Sequence, residues 1–163
     1  MIAILLVAFA LAADAVTATV TYCTQEGVAL KMDLYVPSGG QGLPVVMVVH
    51  GGGWTSETRT SSVIVRPQPE LKSKGVASAS IDYRYANGSS VLWDDMVSDV
   101  VCAMGWLRAH GGEYGIDATR MAVFGASAGG HLAAMGAIQG KAQAFVGWYP
   151  VLDLTSEFGG LPS

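Results

Sequence analysis

Residues 125–130 read Gly-Ala-Ser-Ala-Gly-Gly, and residues 50–54 read His-Gly-Gly-Gly-Trp. The first stretch matches G-x-S-x-G, a serine with glycine two places to either side. A strand-like apolar run, RMAVF, precedes it and a helix-like run, HLAAMGAI, follows. A strand that reverses sharply into a helix strains the corner residue and crowds the segments beside it. Small residues are therefore needed around the corner, and the corner side chain is held out into solvent. Ser127 at that corner is a candidate nucleophile. The amide of Ala128 opens the following helix at the same point, where it can stabilise an oxyanion.

The second stretch comes at the end of an unbroken apolar run, PVVMVVH. Glycines there let backbone amides turn inward, so Gly52 and Gly53 are candidates to complete an oxyanion hole with Ala128. A plain structural turn accounts for either motif alone. It does not account for both, in this order, each behind a strand. Trp54 is the candidate binding residue. With Tyr83 and Tyr85 it borders an acyl or aromatic pocket, or else belongs to an aromatic core.

These motifs need parallel strands to carry them. AVTATVTYC and VALKMDLYVP alternate across the turn Gln25-Glu26-Gly27 and read as a hairpin. PVVMVVH suits a strand buried on both faces of a parallel sheet. A short helix is predicted over 67–74, closed by Gly75, and VASASIDYR is the next strand. The longest helix is predicted over 93–109, with Asp94 and Asp95 at its positive end and Arg108 at its negative end. Met96, Val97, Val100, Val101, Met104 and Leu107 mark its core-facing stripe. Strand RMAVFG, a helix over 131–139 and a last strand, AFVGWYPV, complete the order. From Val45 onward strand and helix alternate, which implies an α/β architecture with right-handed crossovers.

The chain has 163 residues, enough for one ordinary domain, and its 51% apolar and 13% charged residues make it core-forming. A formal charge of −4 excludes the basic surface of a nucleic-acid binder. No Cys/His cluster has metal-ligand spacing. Cys23 falls in a predicted strand and Cys102 in a predicted helix; sequence alone leaves pairing open, and two ordinary thiols are the expectation. The first residues, MIAILLVAFALAADA, are too short an apolar run to span a bilayer. They read as a signal peptide over 1–15 with Ala13-Asp14-Ala15 as the cleavage site, which predicts a secreted or periplasmic protein. A buried first strand or helix is the competing reading.

With these motifs placed, the sequence resembles the α/β-hydrolase family, in particular the hormone-sensitive-lipase-like esterases and their feruloyl- and acetyl-esterase relatives. LKMDLYVP, HGGGW, IDYRYA, YGIDATRMAVFGASAGGHLAA and WYPVLDL carry the resemblance. It implies an eight-stranded, mostly parallel sheet flanked by helices, carboxyl-ester hydrolysis, Ser127 as nucleophile and no cofactor. It also implies an acid and then a histidine after the serine, and no histidine follows His131. About six of the eight strands are expected within 16–163, with the acid and histidine region absent and activity weak or lost. Asp153 and Glu157 are not assigned as the acid, and His50, His110 and His131 are not assigned as the base. Asp82 and Arg84 read as scaffold residues. The expected substrate is a small-molecule or polysaccharide-linked ester; a peptidase on the same fold is the alternative chemistry. The last strand, left as an edge, predicts self-association or pairing with another chain.

Overall fold

The β-branched runs at the front of the chain pair as an antiparallel hairpin, β1 (Ala18–Gln25) and β2 (Val28–Tyr35). Its turn holds Glu26 and Gly27 at φ 50° and 81°, the left-handed pair that matches the twist of the flanking strands. The computed structural model describes residues 16–86 and 93–154; the leader, residues 1–15, and Glu157 lie outside them. β3 (Leu43–Val49) and β4 (Ala77–Ile81) follow, linked through the short helices α1 (Ser62–Val65) and α2 (Gln68–Ser73). Then come α3 (Trp93–His110), a 3₁₀ turn (Gly111–Tyr114), β5 (Ile116–Ala126), α4 (Ala128–Gln139) and β6 (Ala144–Trp148).

The six strands form one sheet in the order β1-β2-β4-β3-β5-β6. The hairpin joins β4 antiparallel, and β4, β3, β5 and β6 run parallel. This is the α/β architecture that the alternation of strand and helix implied, and it fits the partial α/β-hydrolase fold that the family resemblance implied. β3 and β4 are buried because helices lie on both faces. Met47, Val49, Ala79 and Ile81 join Met96, Val100, Met104 and Leu107 of α3 and Leu132 and Ala133 of α4 in the main core. Val48 and Phe124 point the other way and pack with Ile64 of α1. α4 crosses α3 at Gly136, where an added Cβ would overlap Val100, so this pair of helices needs a residue without a side chain.

Two details depart from the sequence reading. α4 begins at Ala128, three residues before the expected start at 131, because Gly129 and Gly130 are the first turn of the helix and not a loop. Cys23 and Cys102 are not separate thiols: they form a disulfide with Cα atoms 6.4 Å apart. α3 lies across the inner face of β1, and 79 residues of separation hid that proximity from the sequence. The bond fastens the outermost strand of the sheet to its main helix.

Closing so long a loop restricts the unfolded chain, and bonds of this kind contribute about 2–4 kcal/mol. Reduction, or the double variant C23S/C102S, is therefore expected to lower Tm by roughly 5–10 °C. Calorimetry with and without reductant reads this directly, and an unchanged Tm would show that the hairpin is held by packing alone.

Candidate active site

β3 and β5 are parallel neighbours in register, with Val49 beside Gly125, so HGGGW and GASAGG leave the sheet side by side at its carboxyl edge. The chain crosses from β3 to β4 on one side and from β5 to β6 on the other. The gap between β3 and β5 is thus the topological switch point, the place where open α/β sheets bind ligands. That inference comes from strand order and does not use the motifs.

Ser127 has φ 54° and ψ −123°, a conformation that costs a residue with a side chain about 1–3 kcal/mol. The surroundings hold it there. Its N–H donates to the Trp148 carbonyl at 3.0 Å, and its own carbonyl receives the N–H groups of Gly130 at 2.9 Å and His131 at 3.2 Å. Backbone crowds the corner from both sides. An added Cβ at Gly125 would strike the Gly129 carbonyl, and one at Gly129 would strike the carbonyls of Val49 and His50. A Cβ at Gly51 would lie 3.4 Å from Cβ of Ser127, so the two motifs are in contact.

Gly52 and Gly53 have φ of 99° and 60°. At Gly52 a side chain would meet the Ser56 carbonyl as well as the strained backbone. Among the described residues, no backbone carbonyl accepts the N–H of Gly52, Gly53 or Ala128. Ala128 is the first residue of α4, so its N–H belongs to the helix end that is electropositive and unpaired.

His50 is buried at the end of β3. Its Nδ1 is 2.8 Å from the Gly51 carbonyl, and since a carbonyl only accepts, the neutral ring carries its proton on Nδ1. Burial lowers its pKa from the ordinary histidine value, the backbone hydrogen bond opposing this. Its ring stacks on Tyr83, with centroids 4.3 Å apart, and the Tyr83 hydroxyl donates to the carbonyls of His50 (3.0 Å) and Gly51 (3.1 Å). His131 is buried with its pKa also lowered by desolvation, and its ring meets Trp54 and Trp93 edge-on. His110 pairs with Glu113 at the far end of α3. Among the described residues none of these rings hydrogen-bonds Ser127.

Trp54 lies in the main core, stacked on Trp93 at 5.4 Å. Tyr85 donates to the Glu57 carbonyl. Asp82 accepts from the Arg59 N–H at 2.8 Å and from its Nη1 at 2.7 Å, and Arg59 also pairs with Asp33 at 2.9 Å. Arg84, 6% exposed, grips the fully buried Asp99 of α3 at 2.9 Å. Asp82 and Arg84 thus hold loops to the scaffold, as read from IDYRY. Asp153 is exposed beyond β6. Sequence reasoning missed Arg59 and the Tyr83 hydroxyl; the signal available for the latter was a tyrosine two residues beyond a strand that neighbours β3. Among the described residues no cluster of His, Cys, Asp or Glu could hold a metal ion, and no helix is long and apolar enough to cross a membrane.

The BD-FAE family model matches residues 32–157. The chain is 32% identical over 127 residues to the Mycobacterium tuberculosis protein named probable carboxylic ester hydrolase LipM, covering 69% of this chain and 28% of LipM. It is 38% identical over 95 residues to esterase LipC of the same organism, 56% of this chain and 22% of LipC. Among solved structures, the butyrate-bound thermophilic esterase Est2 of Thermogutta terrifontis superposes with a TM-score of 0.75 at 27% identity, covering 86% of this chain and 56% of that one. The chain thus spans under a third of these two curated relatives and just over half of the solved esterase. The strained serine turn, the glycine loop in contact with it and the family match across both place this chain in the BD-FAE family of α/β-hydrolase esterases.

Proposed function

We propose that this chain carries the nucleophile and oxyanion hole of a serine carboxylic-ester hydrolase. The observation that carries the reading is the contact between two strand ends: Ser127 on a strained corner, against a loop whose Gly52 and Gly53 amides, with that of Ala128, are engaged by no backbone carbonyl among the described residues. Ser127 Oγ attacks the ester carbonyl carbon and gives up its proton to a base. The carbonyl oxygen takes the negative charge of the tetrahedral intermediate, facing the three amides. Collapse expels the alcohol, which takes the proton back, and leaves an acyl-enzyme; water then repeats the sequence and frees the acid.

The base in this reading is a histidine other than His50, His110 and His131, oriented by an acid and supplied from outside these 163 residues. His50 Nε2 and His131 Nδ1 are buried without a hydrogen-bond partner among the described residues, Ser127 included, and burial disfavours the imidazolium that either ring would become. Esters in the extracellular or periplasmic space, small or attached to polysaccharide, are the substrate class. The disulfide supports that location, since such bonds persist in oxidising compartments. So does the signal-like leader over 1–15.

A second reading rests on a different observation. Among the described residues β6 is an edge of the sheet, and Val146, Trp148, Tyr149 and Leu152 are 50%, 43%, 68% and 62% exposed. An apolar groove of about 210 Å³ runs beside it, between Val146, Trp148 and Phe124 on one side and Pro67 and Leu71 on the other. An unguarded edge of this kind recruits another strand, so the chain associates through β6 with a second chain that supplies the histidine.

Two measurements test these readings. In enzyme that includes the base, Ser127→Ala is expected to lower kcat on p-nitrophenyl acetate by about 10⁴-fold or more; an unchanged rate would remove Ser127 from the chemistry. The isolated chain is expected to self-associate in size-exclusion chromatography with light scattering. A clean monomer of 16.9 kDa with cooperative melting would refute association through β6.

A further inference from the structure

We propose that Tyr83 is the positioning residue that sets the direction of the Gly52 amide, by holding the Gly51 carbonyl from the β4 side of β3. Its kinetic consequence rests on the reading of Ser127 and its amides given above; its structural consequence does not.

β4 lies on one side of β3 and β5 on the other. Ile81 of β4 is in register with Val49 of β3, so Tyr83, two residues further on, arrives beside His50 and Gly51. The elbow after β5 reaches the same loop from the far side. Tyr83 is 2% exposed, and its hydroxyl proton is shared between the two carbonyls at 3.0 and 3.1 Å. Burial pushes the phenol pKa well up, which keeps it a donor throughout the physiological range. The Gly51 carbonyl also receives the His50 Nδ1–H at 2.8 Å, so both of its lone pairs are occupied.

The carbonyl of Gly51 and the N–H of Gly52 belong to one planar trans peptide and point in opposite directions. Fixing the first towards Tyr83 aims the second away from it, towards the elbow. The loop cannot make this choice by itself. Gly51, Gly52 and Gly53 have no Cβ to favour one peptide orientation over its reverse. The direction of a catalytic amide therefore has to be imposed from outside the glycine run, and the two groups placed to do so are the His50 ring and the Tyr83 hydroxyl. The stacking of Tyr83 on His50 needs only the ring; the orientation needs the oxygen.

Tyr83→Phe keeps the ring and removes the donor. In ¹⁵N-labelled protein, the Gly52 N–H residual dipolar coupling is expected to change while couplings in β3, β5 and α4 stay put. A wild-type Gly52 coupling in Y83F would overturn the proposal whether or not the protein turns over ester. Where turnover depends on Ser127, Y83F is expected to lower kcat about tenfold with KM within about twofold, and to weaken a trifluoromethyl ketone inhibitor by the same factor as kcat/KM. A fall in Tm with kcat unchanged would make the residue merely structural and would also overturn it. Should Y83F fail to fold, the wild type decides: a slowly exchanging Tyr83 hydroxyl proton with Overhauser contacts to the Gly51 and Gly52 backbone supports the assignment, and a freely exchanging one refutes it. Activity that survives Ser127→Ala would defeat the nucleophile reading and leave the dipolar-coupling result standing.

Discussion

The approach of α4 to the ends of β3 and β5 is the constraint from which the site follows. Gly129 passes so near the carbonyls of Val49 and His50 that no side chain fits, and Gly125 passes equally near the carbonyl of Gly129. Three backbone segments are in contact with nothing between them. That contact forces Ser127 to φ 54°, places the free N–H end of α4 against the glycine loop, and leaves the serine side chain projecting. A methyl group at either glycine would have to move a strand or a helix. The strained corner is surrounded by the main core, with Met47, Val49, Leu132 and Ala133 packed beneath it.

The ion pairs belong to the same design. The loops that leave the carboxyl edge of a parallel sheet have no ladder to pair their backbone, so side chains do it. Asp82 receives both the backbone N–H and the guanidinium of Arg59, fastening the segment after the glycine loop to the end of β4. Asp99 receives the Arg84 backbone N–H at 3.0 Å as well as its guanidinium, fastening the next loop to α3. Buried pairs of this sort are weak sources of net stability, because desolvation offsets most of their attraction. Their effect is to fix geometry: with both loops pinned, Tyr83 between Asp82 and Arg84 has little freedom over where its hydroxyl points.

Much of this was legible in the sequence because it depends on short-range rules. Alternation read out β1 and β2, an unbroken apolar run read out β3, and three- and four-residue spacing read out the stripe of α3. The elbow was legible because steric exclusion leaves glycines at fixed spacing. What was not legible depends on contacts between distant segments. Cys23 and Cys102 meet only because α3 crosses β1. The start of α4 was misplaced because Gly129 and Gly130 have poor helix propensity, which tertiary packing overrides. Trp54 could have faced a pocket or the core, and the deciding partner, Trp93, is nearly forty positions away. The role of a tyrosine hydroxyl depends on which strand lies next to which, and strand order is a property of the whole sheet.

The histidines show why the two halves of the chemistry separate cleanly in this architecture. A base must reach Ser127 Oγ and keep an unprotonated nitrogen turned to it. His50 lies at the end of the strand next to the elbow, but its unprotonated Nε2 is buried with no hydrogen-bond partner among the described residues and its ring is stacked on Tyr83, where desolvation disfavours the imidazolium. His131 follows the serine by one helical turn and is enclosed by the indoles of Trp54 and Trp93, where burial disfavours the imidazolium that proton transfer would create. Neither constraint touches the amides. Their direction is set by β3, β4, β5 and the first turn of α4, so in the proposed reading stabilisation of the oxyanion is prepared by the fold without reference to where the proton goes. Electrostatic preorganisation of this kind adds no reorganisation cost at the moment of reaction. Proton transfer is the mobile part, and it can be supplied by a side chain on any segment that reaches the carboxyl edge between β3 and β5.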